Sequence, residues 1–291
     1  MPLYSFHSQE LTYEVKLIQY IGSGMNSTMG NYRFATYEKD GRVATITLDR
    51  PEVMNALHLE AHFELQEIWE DFRDDPELWV AILTGAGERA FSAGNDLKAT
   101  AERTAAGTDV QGVKRPPFGR ITRDFDCPKP MIAAVNGVAV GGGLELALAC
   151  DIVIAADHAR LGLPEPRVGL FAGAGGIHRL ARQVPFKQAM GLLLTGRLIS
   201  ADEAFRIGLV NEVVPLAELM PTARRWADEI LECSPLSVRL TKEAVFDGLQ
   251  FSVDEALERD AGRRERLLSS QDYVEGPKAF AEKRKPEWTG L

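Results

Sequence analysis

The spacing of apolar side chains changes period along this chain, and each change marks an element. Residues 43–48 (Val-Ala-Thr-Ile-Thr-Leu) place apolar groups between hydroxyls, the two-residue period of a half-buried strand. Residues 33–37 are also β-rich and reach that run through Lys39-Asp40-Gly41, a hairpin signal, while Arg50-Pro51 stops the second strand. Over 57–72 the period becomes helical, with Leu57, Ala61, Leu65, Ile68, Trp69 and Phe72 on one face. Short apolar runs at 80–84, 132–135 and 152–155 read as buried strands, and residues 99–117, polar with Gly and Pro, read as a mobile loop. From Pro185 the pattern is helical. Ser200-Ala201-Asp202-Glu203 predicts a capping box, as does Ser252 with Glu255, and residues 216–231, 236–249, 252–268 and 277–285 are predicted helices. The chain is therefore α/β to about residue 215 and helical after it. Residues 1–30, with a strand-like stretch at 11–21 and a Gly/Ser-rich stretch at 22–30, read as an N-terminal extension.

Composition narrows the partners. The 291 residues are 45% hydrophobic and 26% charged, an ordinary globular balance with ample material for a core. A net charge of -9 disfavours nucleic acid as a partner, and no stretch reads as a signal peptide or membrane span. Three scattered cysteines, Cys127, Cys150 and Cys233, show neither a disulfide framework nor metal spacing, which points to a reducing, cytoplasmic setting.

The most informative stretch is Ala139-Val140-Gly141-Gly142-Gly143-Leu144-Glu145. A strand-like run at 131–135 leads to a triple-glycine turn and then an apolar helix at 144–150. Glycines permit close approach to the backbone, and a helix start offers unpaired N–H groups to negative charge, permanent or developing. Glu145, in the first turn of an otherwise apolar helix, is either a helix-start charge or an acid/base catalyst. Glu165 sits between Pro164 and Pro166, which stiffen its backbone; it is either a solvated loop carboxylate or a second catalytic group. The outward helix and returning strand between them can bring the two together. Two converging carboxylates would raise one pKa and leave an acid and a base able to share a water. Gly94-Asn95-Asp96 and Gly141-Gly142-Gly143 are turns able to supply backbone donors to a carbonyl. Gly173-Ala174-Gly175-Gly176 does not match a dinucleotide fingerprint, no phosphate-loop Lys-Ser/Thr follows a glycine run, and Ser92 lacks a nucleophile elbow. His58 and His62, four apart without a third ligand, read as surface histidines, so no metal site is expected.

From about residue 32 onward these features together resemble the enoyl-CoA hydratase/isomerase (crotonase) superfamily. The matching segments are Asn55-Ala56-Leu57, Phe91 to Lys98, Lys129-Pro130 to Asp151, Leu163-Pro164-Glu165, Gly173 to Gly176, and the terminal Glu275-Gly276, Ala279-Phe280 and Glu282-Lys283-Arg284. The resemblance implies a spiral of β-β-α units over 31–215 and a C-terminal helical oligomerisation region over 216–291, assembled as a homotrimer or a hexamer. It implies an oxyanion hole from the Asn95 and Gly142 N–H groups, catalytic Glu145 and Glu165, and a CoA groove lined by Ala56, Ala93, Asp96, Leu97 and Lys98, with Gly173 helping to place water. The family often has Ala where Asn95 stands, so the Asn95 side chain is expected near the acyl group. Phe280 and Lys283 are expected either to reach a neighbour's CoA site or simply to pack. The substrate implied is an acyl-CoA thioester, with no cofactor, because CoA belongs to the substrate. Keeping both glutamates favours reversible hydration of a trans-2-enoyl-CoA; an isomerase or a specialised acyl-CoA dehydratase is the alternative. A non-catalytic binding protein on the same fold is disfavoured by the paired glutamates and the acidic balance.

Overall fold

In the computed structural model, which describes residues 32–105 and 115–291, the alternating run at 43–48 is strand β2 (Val43–Leu48), paired antiparallel with β1 (Ala35–Asp40). The first strand thus continues to Asp40, opposite Val43, and Gly41 turns the hairpin at φ +58. β3 (Val80–Gly85), β5 (Met131–Val135), β7 (Ile152–Ala156) and β10 (Glu212–Val214) add in parallel, in the order β1-β2-β3-β5-β7-β10. Every residue of β3 and β5 is buried, as expected of central parallel strands covered on both faces.

A second sheet joins β4 (Ala90–Ser92), β6 (Val138–Val140), β8 (Arg160–Gly162) and β9 (Ile199–Ser200), in the order β4-β6-β8-β9. Consecutive strands alternate between sheets: β3 then β4, β5 then β6, β7 then β8. Helical segments follow each second strand: Leu97–Ala105 after β4, Gly142–Ala149 after β6, and the 3-10 turn Glu165–Val168 with the helix Gly176–Gln183 after β8. This repeated path is the expected β-β-α spiral. The strands of the second sheet are too short to show a period, so their pairing was not legible; β6 in particular lies between the run at 131–135 and the glycine turn. The switch from β5 to β6 is made at Asn136-Gly137. The Asn136 side chain accepts from Gly85 N at 3.1 Å and donates to Gly87 O at 2.7 Å. A Cβ on Gly137 would meet the Arg89 carbonyl at 2.5 Å.

The amphipathic run at 57–72 is the helix Leu59–Asp74, which buries Leu65, Ile68, Trp69 and Phe72. Lys129 closes its end by donating to Phe72 O at 2.7 Å and Asp75 O at 2.6 Å, and burial brings its pKa down to about 8. The helix Leu216–Leu231 packs Leu219, Ala223 and Ala227 against Val80, Ile82, Ile132, Ala134 and Ile154 of the large sheet. Phe34–Leu291 forms one compact unit.

Four local expectations are corrected. Residues 99–105 are not loop but part of the helix Leu97–Ala105, because the Asp96 carboxylate accepts from Ala99 N at 3.0 Å and caps it. The run 252–268 is two helices, Val253–Arg259 and Ala261–Leu268, meeting at Asp260. The last helix begins at Gln271, six residues before Pro277, because the Ser270 hydroxyl accepts from Tyr273 N. At Ser200 only half the box forms: its hydroxyl accepts from Glu203 N, but the Glu203 carboxylate turns to Arg197 at 2.7 Å. The box at Ser252 and Glu255 is complete. The extension at 1–30 and its strand-like stretch lie outside the described residues, as do residues 106–114 of the expected loop.

Candidate active site

β6 ends at Val140, Gly141 turns at φ +57, and the helix Gly142–Ala149 begins at once, two residues before its expected start. Each of the three glycines has its own reason: contacts too close for a Cβ at 142 and 143, and the positive φ of the turn at 141. A Cβ on Gly143 would lie 2.0 Å from Ser92 O, one on Gly142 would lie 2.4 Å from the Phe118 ring, and Gly141 faces Glu165 Oε1, which a Cβ would meet at 3.4 Å. The second turn approaches from β4. Gly94, at φ +85, presses so close to the helix start that its Cβ would fall 2.6 Å from Gly142 N. Leu57 N donates to Gly94 O at 2.8 Å and Asp96 N to Leu57 O at 2.9 Å, which fixes Asn95 between them. Among the described residues, the N–H groups of Asn95 and Gly142 have no protein acceptor. Two unpaired amides thus stand on neighbouring turns at a helix N-terminus.

Glu145 is 4% exposed. Its Oε1 accepts from Gly176 N at 2.9 Å, the first N–H of the Gly176–Gln183 helix. Burial pushes its carboxyl pKa up; the Gly176 N–H opposes this, the charge of Glu165 adds to it, and the Ala174 backbone and Arg179 guanidinium pull it back. Glu165 opens the 3-10 turn Glu165–Val168 and reaches Gly141. Its Oε2 is buried with no hydrogen-bond partner among the described residues, and burial pushes its pKa up as well. The two carboxylates therefore meet at the same helix start, both favouring the protonated form more than a solvated glutamate does. They differ in surroundings: Glu145 is seated by backbone donors that favour its anion, whereas Glu165 keeps one oxygen with no donor.

The remaining predicted residues distribute around this centre. Ala56 is buried, Ala93 is half-buried, and Leu97 and Lys98 are exposed on the helix Leu97–Ala105. Asp96 is occupied by its own contacts: Arg50 at 3.0 Å and the Ala99 N–H. Burial alone would raise its pKa, but those two partners hold it below the usual carboxylate range. The Asn95 side-chain amide points along the helix that follows it, donating to Thr100 Oγ1 at 3.1 Å. Gly173 is exposed beside the Phe171 ring. Lys283 adopts φ 55 at the end of the last helix, and Phe280 is 87% exposed.

His62 is corrected: it is buried, not on the surface. Its Nδ1 accepts from Gly119 N at 3.1 Å, its ring packs edge-on against Phe118 at 4.8 Å, and burial lowers its pKa to about 4, so it is neutral. Through it the helix Leu59–Asp74 holds Phe118 over Gly142. Phe118, Asn55 and Arg179 were not read as site residues. Asn55 donates to Ala86 O and Ala90 O and accepts from Arg50 N, pinning the turn that carries Ala56. Its only sequence signal was its place in the Asn-Ala-Leu motif. Among the described residues no cluster of His, Cys, Asp and Glu could hold a metal ion, and no helix is long and apolar enough to cross a membrane.

Comparison with known proteins agrees with this architecture. The chain is 46% identical over 254 residues to the carnitinyl-CoA dehydratase of Proteus mirabilis, covering 86% of this chain and 96% of that protein. It is 44% identical over 256 residues to the carnitinyl-CoA dehydratase of Escherichia coli K12, covering 87% and 97%. The crystal structure of an enoyl-CoA hydratase from Mycobacterium tuberculosis H37Rv superposes with a TM-score of 0.82 at 36% identity, covering 89% of this chain and all of that one. The enoyl-CoA hydratase/isomerase family model matches residues 38–291, and with that span, those identities and the two-sheet spiral, the chain belongs to the enoyl-CoA hydratase/isomerase (crotonase) family and is an enzyme of CoA thioesters.

Proposed function

We propose that this enzyme is a hydro-lyase that interconverts a 3-hydroxyacyl-CoA and the corresponding 2-enoyl-CoA, and that its acyl group is of the carnitinyl type, a four-carbon chain bearing a trimethylammonium group at C4. The observation that carries the reaction class is the approach of a buried carboxylate, Glu145, and a half-buried one, Glu165, beside two unpaired amides at one helix start. The acyl group rests on 44–46% identity to carnitinyl-CoA dehydratases over nearly their whole length, against 36% to the hydratase of known structure.

In the hydration direction the thioester oxygen lies on the Asn95 and Gly142 N–H groups, which stabilise the enolate as it forms; a single such donor contributes about 2.7–4 kcal/mol in a comparable hole. Glu145, favoured as an anion by Gly176 N–H, takes a proton from water as its oxygen bonds to Cβ. The π electrons move toward Cα, and Glu165, whose unpaired buried oxygen favours the acid form, protonates Cα. Dehydration is the reverse: Glu165 removes the Cα proton and Glu145 protonates the departing hydroxyl. Ala56, Ala93, Asp96 and Leu97 line the CoA side largely through backbone, Lys98 stands free to approach a phosphate, and Gly173 N–H helps to place the water. Exposed Phe246, Leu249, Val253, Val274 and Phe280 on the C-terminal helices are the faces proposed to join subunits into a trimer or hexamer, which light scattering on the eluted protein tests directly.

The test is a substrate panel. Carnitinyl-CoA is expected to be dehydrated with a higher kcat/KM than unsubstituted 3-hydroxybutyryl-CoA, with gain of conjugated-thioester absorbance. The reverse preference supports the second reading, an ordinary enoyl-CoA hydratase, which the 36% identity to a structure of that title also favours. Double-bond migration without water addition would point to an isomerase. Loss of turnover in both Glu145→Gln and Glu165→Gln is expected; full activity in either overturns the two-carboxylate mechanism.

A further inference from the structure

The turn that seats Glu145 is itself held by one side chain. Gly175 takes φ +106, conformational space open to glycine, and begins the Gly176–Gln183 helix. Arg179, one turn along, folds its guanidinium back over that glycine so closely that any Cβ at 175 would collide with Nη1. Nη1 donates to Ala174 O at 3.3 Å and Nη2 to Thr122 O at 2.8 Å. Thr122 donates its hydroxyl to Phe118 O at 2.7 Å, and the Phe118 ring covers Gly142. On the opposite side of the turn, a Cβ at Gly176 would lie 3.0 Å from both Cγ and Oε1 of Glu145. One planar cation therefore joins the turn under the Glu145 carboxylate to the segment over the Gly142 amide.

We propose that Arg179 is a positioning residue for Glu145: its fork across the carbonyls of Ala174 and Thr122 fixes the turn whose Gly176 N–H seats the carboxylate, and places a positive charge behind that turn. This rests on reading Glu145 as the carboxylate that handles water. The fork geometry matters because a guanidinium can hold two carbonyls in one plane while a lysine ammonium is a point charge. The charge matters because Glu145 is buried and two charged groups act on it, with a thiol beside the second. Glu165, from the 3-10 turn, opposes its ionisation; Arg179 favours it; the Cys150 thiol, beside Arg179, is fully buried and pushed up, so it stays neutral. Arg179 is the cation among them.

The experiment is the pH dependence of kcat/KM for Arg179→Met and Arg179→Lys, with thermal midpoints measured alongside. Arg179→Met is expected to lower kcat about tenfold or more with KM within about twofold, and to move the acid limb to higher pH, because a base without its cation ionises later. Arg179→Lys keeps the charge and is expected to return the acid limb to its original position and recover part of kcat. An unmoved acid limb in Arg179→Met, or a Lys variant impaired as deeply as the Met variant, overturns the proposal. Should Arg179→Met fail to fold, Arg179→Gln carries the same comparison. Full turnover in Glu145→Gln would instead defeat the catalytic reading beneath it, so the two failures are distinct.

Discussion

Gly94→Ala tests the amide pair most directly, because one methyl group reaches it. The added Cβ would lie 2.6 Å from Gly142 N and 2.9 Å from Val140 O, both backbone atoms that cannot swing aside. Gly94 also sits at φ +85, where an L side chain costs about 1–2 kcal/mol. The strain lowers stability; the contact displaces the Gly142 N–H and removes a donor worth about 2.7–4 kcal/mol in the transition state, or about 10²–10³ in kcat. Gly41→Ala separates the two effects. Gly41 has φ +58 but nothing within 4 Å of an added Cβ, so only the backbone cost applies. At about 2–4 °C per kcal/mol, Gly41→Ala should lower the melting midpoint by a few degrees and leave kcat unchanged. Gly94→Ala should lower the midpoint at least as far and kcat by about 100-fold or more, with KM within a few-fold. A folded Gly94→Ala enzyme within about threefold of full kcat would refute the assignment of Gly142 N–H to the thioester oxygen. Equal kcat losses in the two variants would show that strain, not the amide, is responsible.

Glu165→Gln removes a buried oxygen that lacks a donor. Because the folded pKa of Glu165 is raised, its stabilising contribution is complete below the unfolded value and lost as pH rises through the folded one, so this variant should melt higher than the unsubstituted protein at neutral pH while losing at least about 100-fold in kcat. His62 has the opposite sign: its folded pKa of about 4 lies below the unfolded 6.5, so its contribution is full above 6.5 and lost as pH falls toward 4. That is about 3 kcal/mol, and denaturant melts of His62→Gln across this window should show a correspondingly flatter slope. Asp272 is 3% exposed and accepts from Ser234 Oγ at 2.7 Å, Thr289 N at 2.9 Å and Gly290 N at 3.2 Å, tying the C-terminus to the last helix. Asp272→Leu should cost about 3–5 kcal/mol by chemical denaturation, since it strands buried donors.

Elements with a long period were legible in the sequence. The helix at 59–74 follows from side-chain spacing, because burial of one face repeats often enough to leave a pattern; the parallel strands at 80–85, 131–135 and 152–156 were legible as unbroken apolar runs, because most of their residues are buried, and the hairpin from its turn residues. The second sheet did not, since strands of two or three residues carry no period and are held by partners far away in sequence. The helix starts at Asp96 and Ser270 were hidden because a single capping side chain outweighed the polarity or the proline that followed.

The sequence by itself determined the parts of this protein that local chemistry dictates: the glycine turns, the isolated glutamates in apolar or proline-bound surroundings, and the family to which their order belongs. Tertiary structure alone decided what those parts face. Glu145 meets the N-terminus of a helix thirty-one residues away, Glu165 meets Gly141, Gly94 meets Gly142, and His62, which looks like a surface residue on its own helix, is enclosed by Gly119 and Phe118. The reason is that a side chain's ionisation and an amide's availability are set by the groups packed against them, and in a fold that alternates between two sheets those groups come from distant turns.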